Sequence, residues 1–191
     1  MLKRQSIVVS LLAALSLCAG PSFAEQDYLP DTTPKEGIPV PMAVYKIPSL
    51  KTKPGEDYTV GLLNDVLLDH GEVVVRFKTL TTDGDQAAGI VFRYKDPQNY
   101  YVIVASAKDE SCALYRVKRG KHKIIDSQDI IVSPLSWHKL HITFVQEKFT
   151  AFVDGELALG AKDSSFKDPG RIGLWFKSDS QVAFDDFRVS K

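Results

Sequence analysis

The chain has 191 residues, of which 44% are apolar, 10% aromatic and 25% charged, and its 24 basic and 24 acidic residues balance to no formal charge. This is the composition of an ordinary globular protein. The balance excludes proteins that hold nucleic acid or an anionic membrane through a net positive field.

The first 24 residues read as a secretory signal peptide. Lys3 and Arg4 make a basic start, Ile7 to Cys18 is an apolar run broken only by serines, and Ser22-Phe23-Ala24 is a small-x-small cleavage site. The run is shorter than a bilayer span requires, so no membrane insertion is expected after cleavage, and the expected location is periplasmic or secreted. Cleavage leaves 167 residues, enough for one domain with a real core. It also leaves 22 basic against 24 acidic residues. Cys18 departs with the signal, so Cys112 remains alone and an intramolecular disulfide is excluded. Next to Ala113 and Leu114, Cys112 reads as a small, partly buried apolar residue.

Residues 25–57 carry Pro30, Pro34, Pro39, Pro41, Pro48 and Pro54. Proline at this density removes the amide donors that a sheet ladder needs. The stretch is expected to be an extended arm with one short strand near Val40–Ile47, ahead of a domain over 58–191.

Within that domain the apolar residues alternate. Glu72–Thr79 sets Val73, Val75 and Phe77 against Val74, Arg76 and Lys78. Asp83-Gly84-Asp85 is a turn. Ala88–Lys95 and Asn99–Ser106 are strands around Asp96-Pro97-Gln98, and Ala113–Lys118 and Lys121–Ser127 flank Arg119-Gly120. Trp137–Val145 places Leu140, Ile142 and Phe144 inward. Phe149–Val153 and Glu156–Ala161 flank Asp154-Gly155, the strongest turn signal in the chain. Arg171–Lys177 and Gln181–Val189 then form a hairpin around Ser178-Asp179-Ser180. Many short strands spaced by turns, with no helical stripe, predict an all-β fold: an antiparallel two-sheet β-sandwich of jelly-roll type.

The segment Asp85–Lys121, the strand start Trp137-His138-Lys139-Leu140, Phe152-Val153-Asp154-Gly155 and Gly170–Val189 together resemble the concanavalin A-like, laminin-G-like jelly rolls of exported bacterial proteins. The nearest resemblance is to the 3-keto-disaccharide hydrolase, or family-16-like glycosidase, subgroup. It implies a jelly roll that handles carbohydrate. The subgroup's N-Y-Y-x-x-R-A-N has Val104 and Ser106 here in place of its Arg and Asn. Its W-T-K-A-D-S reads Trp175-Phe176-Lys177-Ser178-Asp179-Ser180. The E-x-D-x-x-E run that sets paired carboxylates on one strand for retaining hydrolysis is missing, and Glu147 and Glu156 stand alone.

Five residues are the expected ligand contacts. Trp175 and Tyr101 offer stacking faces to sugar C–H groups, and Gln86, Arg93 and Lys177 offer polar contacts. Strict alternation puts Arg93 on the side of Gly89 and Val91, free to bond a hydroxyl pair or carboxylate. Tyr100 and Tyr101, being adjacent on a strand, point opposite ways, which predicts one in the core and one exposed. No catalytic residue and no cofactor are assigned. Asp179, Asp185 and Asp186 are the candidates for a structural calcium, and the scattered histidines make no zinc cluster. The expected function is non-catalytic binding of a carbohydrate or cell-envelope glycan. The alternatives are a glycosidase-like hydrolase or a laminin-G-like module for a protein partner; no nucleic-acid partner is expected.

Overall fold

The computed structural model describes residues 42–46, 50 and 55–191. The signal-peptide expectation and most of the proline-rich arm lie outside the described residues. Twelve strands are described: β1 (Ala43–Tyr45), β2 (Tyr58–Leu68), β3 (Gly71–Thr79), β4 (Ala87–Asp96), β5 (Asn99–Ser106), β6 (Ser111–Lys118), β7 (Lys121–Asp129), β8 (His138–Val145), β9 (Lys148–Val153), β10 (Glu156–Lys162), β11 (Gly170–Lys177) and β12 (Val182–Ser190). They pair antiparallel into two six-stranded sheets, one ordered β1-β12-β3-β8-β9-β10 and the other β2-β11-β4-β5-β6-β7. No helix occurs among the described residues. β1 pairs with β12 through Ala43↔Val189 and Tyr45↔Phe187, so the first sheet begins before Tyr58.

The alternation read from the sequence is the alternation of burial. Val73, Val75 and Phe77 of β3 and Leu140, Ile142 and Phe144 of β8 are buried. They pack against Ile90, Phe92, Ile103, Leu114, Ile172 and Leu174 of the other sheet in one core. Each such side chain withdrawn from water contributes roughly 1.5–3 kcal/mol. The hairpin turns follow their residues. Asp154 and Gly155 have φ of 54° and 91°, and Arg119 and Gly120 have 53° and 72°. Two successive left-handed residues match the twist of the flanking strands.

The second sheet is unusual in being buried on both faces. The first eight residues of β4 and the last seven of β5 are buried without a break. One face meets the core. On the other, Ala87, Val91, Tyr94, Tyr100, Val102, Val104, Val117 and Trp175 form a separate apolar cluster, with Tyr58, Val60, Leu62 and Tyr115 packed against it.

The register of β4 against β5 breaks between Phe92 and Asp96, and Arg93 inside that bulge has a φ of 46°. Gly170 on β11 lies so close to the Arg93 backbone that a Cβ there would collide with it. Strict alternation would carry Arg93 to the side of Gly89 and Val91. The bulge instead re-aims it into the end of the sandwich, where it is 1% exposed.

Candidate functional site

The outer face of the second sheet carries a groove of about 330 Å³. Its floor is Ala87 of β4, Val102 and Val104 of β5, and Ala113 of β6; its walls are Tyr58, Trp175, Tyr115 and His122. Directly across from Trp175 on β4 is Gly89, where no side chain competes for that face. The groove contacts come from all six strands of the sheet.

The aromatic rings line up. Tyr58 stacks on Trp175 with centroids 6.0 Å apart and 26° between planes, and its other side meets His122 edge-on at 5.9 Å. Below them Tyr94 and Tyr100 stack at 5.3 Å. Tyr100 is fully buried. Burial first, and then the neighbouring Tyr58 hydroxyl, push the Tyr100 phenol well above its ordinary range. Its Oη makes no hydrogen bond of good geometry.

The polar rim gathers at one end. Asp85 lies between Lys108 (3.1 Å) and Lys177 (3.2 Å). Hydrogen bonds from these two lysines hold its carboxyl below the usual range. Ser106 Oγ donates to Asp109 Oδ2 at 2.9 Å and accepts the Asp109 amide at 3.1 Å. Asp57 and Ser111 complete this end. The arrangement offers stacking faces, an apolar floor and a fixed set of carboxylates and ammonium groups, the chemistry of a pyranose ring with its hydroxyls.

The structure brings together two of the five expected contacts, Trp175 and Lys177, and places the other three elsewhere. Gln86 is buried, and its Nε2 donates to the Thr82 carbonyl at 2.6 Å. Arg93 and Tyr101 are used inside the fold. The Arg93 guanidinium donates to the carbonyls of Asp69 (3.0 and 2.6 Å), Phe166 (2.8 Å) and Gln146 (2.5 Å). It stands 5.4 Å from the Phe149 ring centre. Tyr101 packs between the sheets and donates to Asp163 Oδ1 at 2.5 Å. Tyr100 and Tyr101 do point opposite ways, but both are fully buried, because the outer face has an aromatic layer of its own. Tyr58, Tyr115, His122 and Asp109 escaped the sequence reading. Strand register would have found Tyr115, which sits opposite Val102; nothing local marks Tyr58 or His122.

Two of the three aspartates considered for calcium, Asp185 and Asp186, face arginines. Asp185 is 3.6 Å from Arg76, and Asp186 accepts from Arg188 Nε at 2.6 Å. Among the described residues no group of three or more His, Cys, Asp or Glu is arranged to hold a metal ion. Among them, too, no helix is long and apolar enough to cross a membrane.

Two antiparallel sheets with a groove on one outer face define an all-β jelly-roll sandwich. The chain belongs to the 3-keto-alpha-glucoside-1,2-lyase-like domain family, whose model matches residues 45–190. No curated relative matches it. Among solved structures it is similar to a carbohydrate-binding module, CBM66, from Bacillus subtilis (TM-score 0.67, 16% identity, 78% of this chain and 95% of that one). It is also similar to a Bacillus subtilis protein of unknown function with a galectin-like fold (TM-score 0.56, 15% identity, 69% and 76%). A third similarity is to the GH43 protein BlXynB of Bacillus licheniformis (TM-score 0.51, 15% identity, 72% of this chain but 33% of that one). At these identities the likeness is one of fold.

Proposed function

We propose that the protein is an exported module that binds a carbohydrate on the outer face of its second sheet. One observation carries the reading. The two stretches that resemble the subgroup's motifs, Asn99–Ser106 and Trp175–Ser180, lie on different strands, yet they send Val104, Ser106, Trp175 and Lys177 into the same groove. Tyr58, half-buried and stacked on the buried Trp175, supplies the sugar face, and Lys177 with Asp85 supplies polar contacts. Val104 and Ser106 replace an Arg and an Asn with smaller groups, which implies a ligand different from the subgroup's. The basic start, apolar run and cleavage site in residues 1–24 support export to the periplasm or beyond. The test is a glycan array with the folded protein, with and without calcium. Selective binding that is lost in Trp175→Ala supports the reading, and no binding by folded protein removes it in favour of a protein partner.

A second reading is an enzyme acting on a glycoside, favoured by Asp57, Asp85 and Asp109 in one groove and by the family's lyase-like description. Turnover of 3-keto-glucosides that Asp109→Asn abolishes would establish it, and no turnover by folded protein would dismiss it.

A further inference from the structure

A second cavity, of about 760 Å³, opens at the end of the sandwich between the β5–β6 turn, the end of β7 and the β9–β10 hairpin. Its centre is aliphatic, made of Ile130, Ile131, Val153, Leu157 and Ala158. Ile131 is 82% exposed, more than any other large apolar side chain among the described residues, and Leu157 is 51% exposed. Asp109, Glu110, Asp129, Asp154 and Glu156 complete the lining, with no lysine or arginine among them. Asp109 bonds Ser106, and Asp154 bonds His138 and the Lys139 amide. Glu110, Asp129 and Glu156 have no salt bridge among the described residues, and Lys108, next in sequence to Asp109, is held by Asp85. No aromatic ring lines the cavity to stack on a sugar. An aliphatic floor rimmed by carboxylates instead suits lysine and arginine, whose stems cover apolar surface while their heads reach outward to the charge.

Such side chains occur at the far end of the same two strands. Residues 118–123, the tip of the β6–β7 hairpin, are exposed without a break. Lys118, Arg119, Lys121 and Lys123 have no salt bridge among the described residues. Lys118 stands opposite Lys121 across the ladder, and like charges in that position destabilise a hairpin. Blocking edge-to-edge pairing accounts for the lysines on β7, but not for Lys118 on the inner strand or Arg119 in the turn. Alternation sets Lys121 and Lys123 on the face opposite His122, so these charges are separate from the groove. The base of the hairpin, where Ser111 pairs with Asp129, borders the cavity. From there to Lys118 is about 24 Å of strand, some three Debye lengths at physiological salt. The cations and carboxylates of one molecule are thus too far apart to neutralise each other, whereas those of two molecules are free to meet.

We infer that the cavity receives the β6–β7 tip of a second copy of this chain, with its cations against the carboxylates and their stems over Ile131 and Leu157. The contact uses a different surface on each copy, so every molecule keeps a free tip or a free cavity and association extends into rings or open chains. It goes beyond the carbohydrate reading and does not depend on it. The experiment is sedimentation velocity of the full chain, in low and high salt, at concentrations up to about 1 mM, the range of weak contacts. One variant combines Lys118→Glu, Lys121→Glu and Lys123→Glu; the other combines Glu110→Lys, Asp129→Lys and Glu156→Lys. All six positions are exposed and none lines the groove. The mass of wild type should rise with concentration in low salt and return to that of the monomer in high salt. Each variant should self-associate roughly tenfold or more weakly, since several exposed attractive pairs become repulsive. An equimolar mixture of the two variants should recover association, because each tip then meets a cavity of opposite charge, and that recovery also shows both variants to be folded. Wild type that stays monomeric throughout overturns the inference. So does association that is unchanged in either variant, or a mixture that fails to recover it. Monomeric wild type that binds an oligolysine peptide, with binding lost in the cavity variant, overturns self-association and gives the cavity to a foreign basic chain.

Discussion

The rings of Tyr58 and His122 meet 5.9 Å apart although their strands, β2 and β7, are the two opposite edges of one six-stranded sheet. A flat sheet would hold its edge strands some five strand spacings apart, about 24 Å. The contact therefore requires strong curling toward the outer face, and Tyr58 lies across the groove that the curling makes. It shields Trp175 on one side and Tyr100 beneath.

Removing that cover is expected to change access far more than stability. Tyr58 is only half-buried, so Tyr58→Ala should cost about 1 kcal/mol, the worth of an aromatic pair. In a Trp137→Phe background, where Trp175 is the remaining tryptophan, acrylamide should quench its fluorescence markedly better than with Tyr58 present. Unchanged quenching would mean that Tyr58 does not cover the ring.

Arg93 is expected to matter for folding and not for the groove. Arg93→Met strips hydrogen bonds from the carbonyls of Asp69, Phe166 and Gln146 at once. Leaving buried polar groups unpaired should cost about 3–5 kcal/mol, read as a lower urea midpoint. Affinity of the folded fraction for any groove ligand should be unchanged; a selective loss of affinity would return Arg93 to the site.

Asp163 gives the fold an acid-sensitive clasp. Burial opposes its ionisation, but hydrogen bonds from Tyr101 and Ser165 and the charge of Arg116 outweigh burial and hold the carboxyl below its usual range. A folded value below the unfolded one means the stabilisation is complete above about pH 4 and is lost as pH falls through the lowered value. Asp163→Asn should therefore cost about 2 kcal/mol at pH 7. The gap between variant and wild type in urea melts should close toward pH 2–3. A gap independent of pH would show that shape, and not charge, matters there.

Cys112 should be inert in the native protein. It is fully buried, and burial pushes its thiol up to about 12. Ellman's reagent should fail to label it at pH 8 until denaturant is added. Prompt native-state labelling would report local opening around β6.

The strands and turns were legible because alternation and left-handed turn residues are local properties: Asp154-Gly155 and Arg119-Gly120 announce their hairpins by composition alone. The site was legible in part. Trp175 and Lys177 could be placed on a common face by counting along β11, which is regular where they sit. Arg93 could not, since a bulge shifts the count by an amount no local residue declares; the close approach of Gly170, 77 positions away in sequence, helps fix it. Tyr100 misled for a different reason. Its direction followed from alternation, but its burial depends on Tyr58, which comes from the far edge of the sheet.

The order of strands has a consequence for when this molecule can exist. β11 lies between β2 and β4, and β12 lies between β1 and β3, so each sheet holds an early strand and a late one side by side. Until residues 170–190 are present, neither sheet can close: β2 has no partner strand and β3 has only β8. Folding must then wait for nearly the whole chain and proceed through contacts of high sequence separation, which is slow.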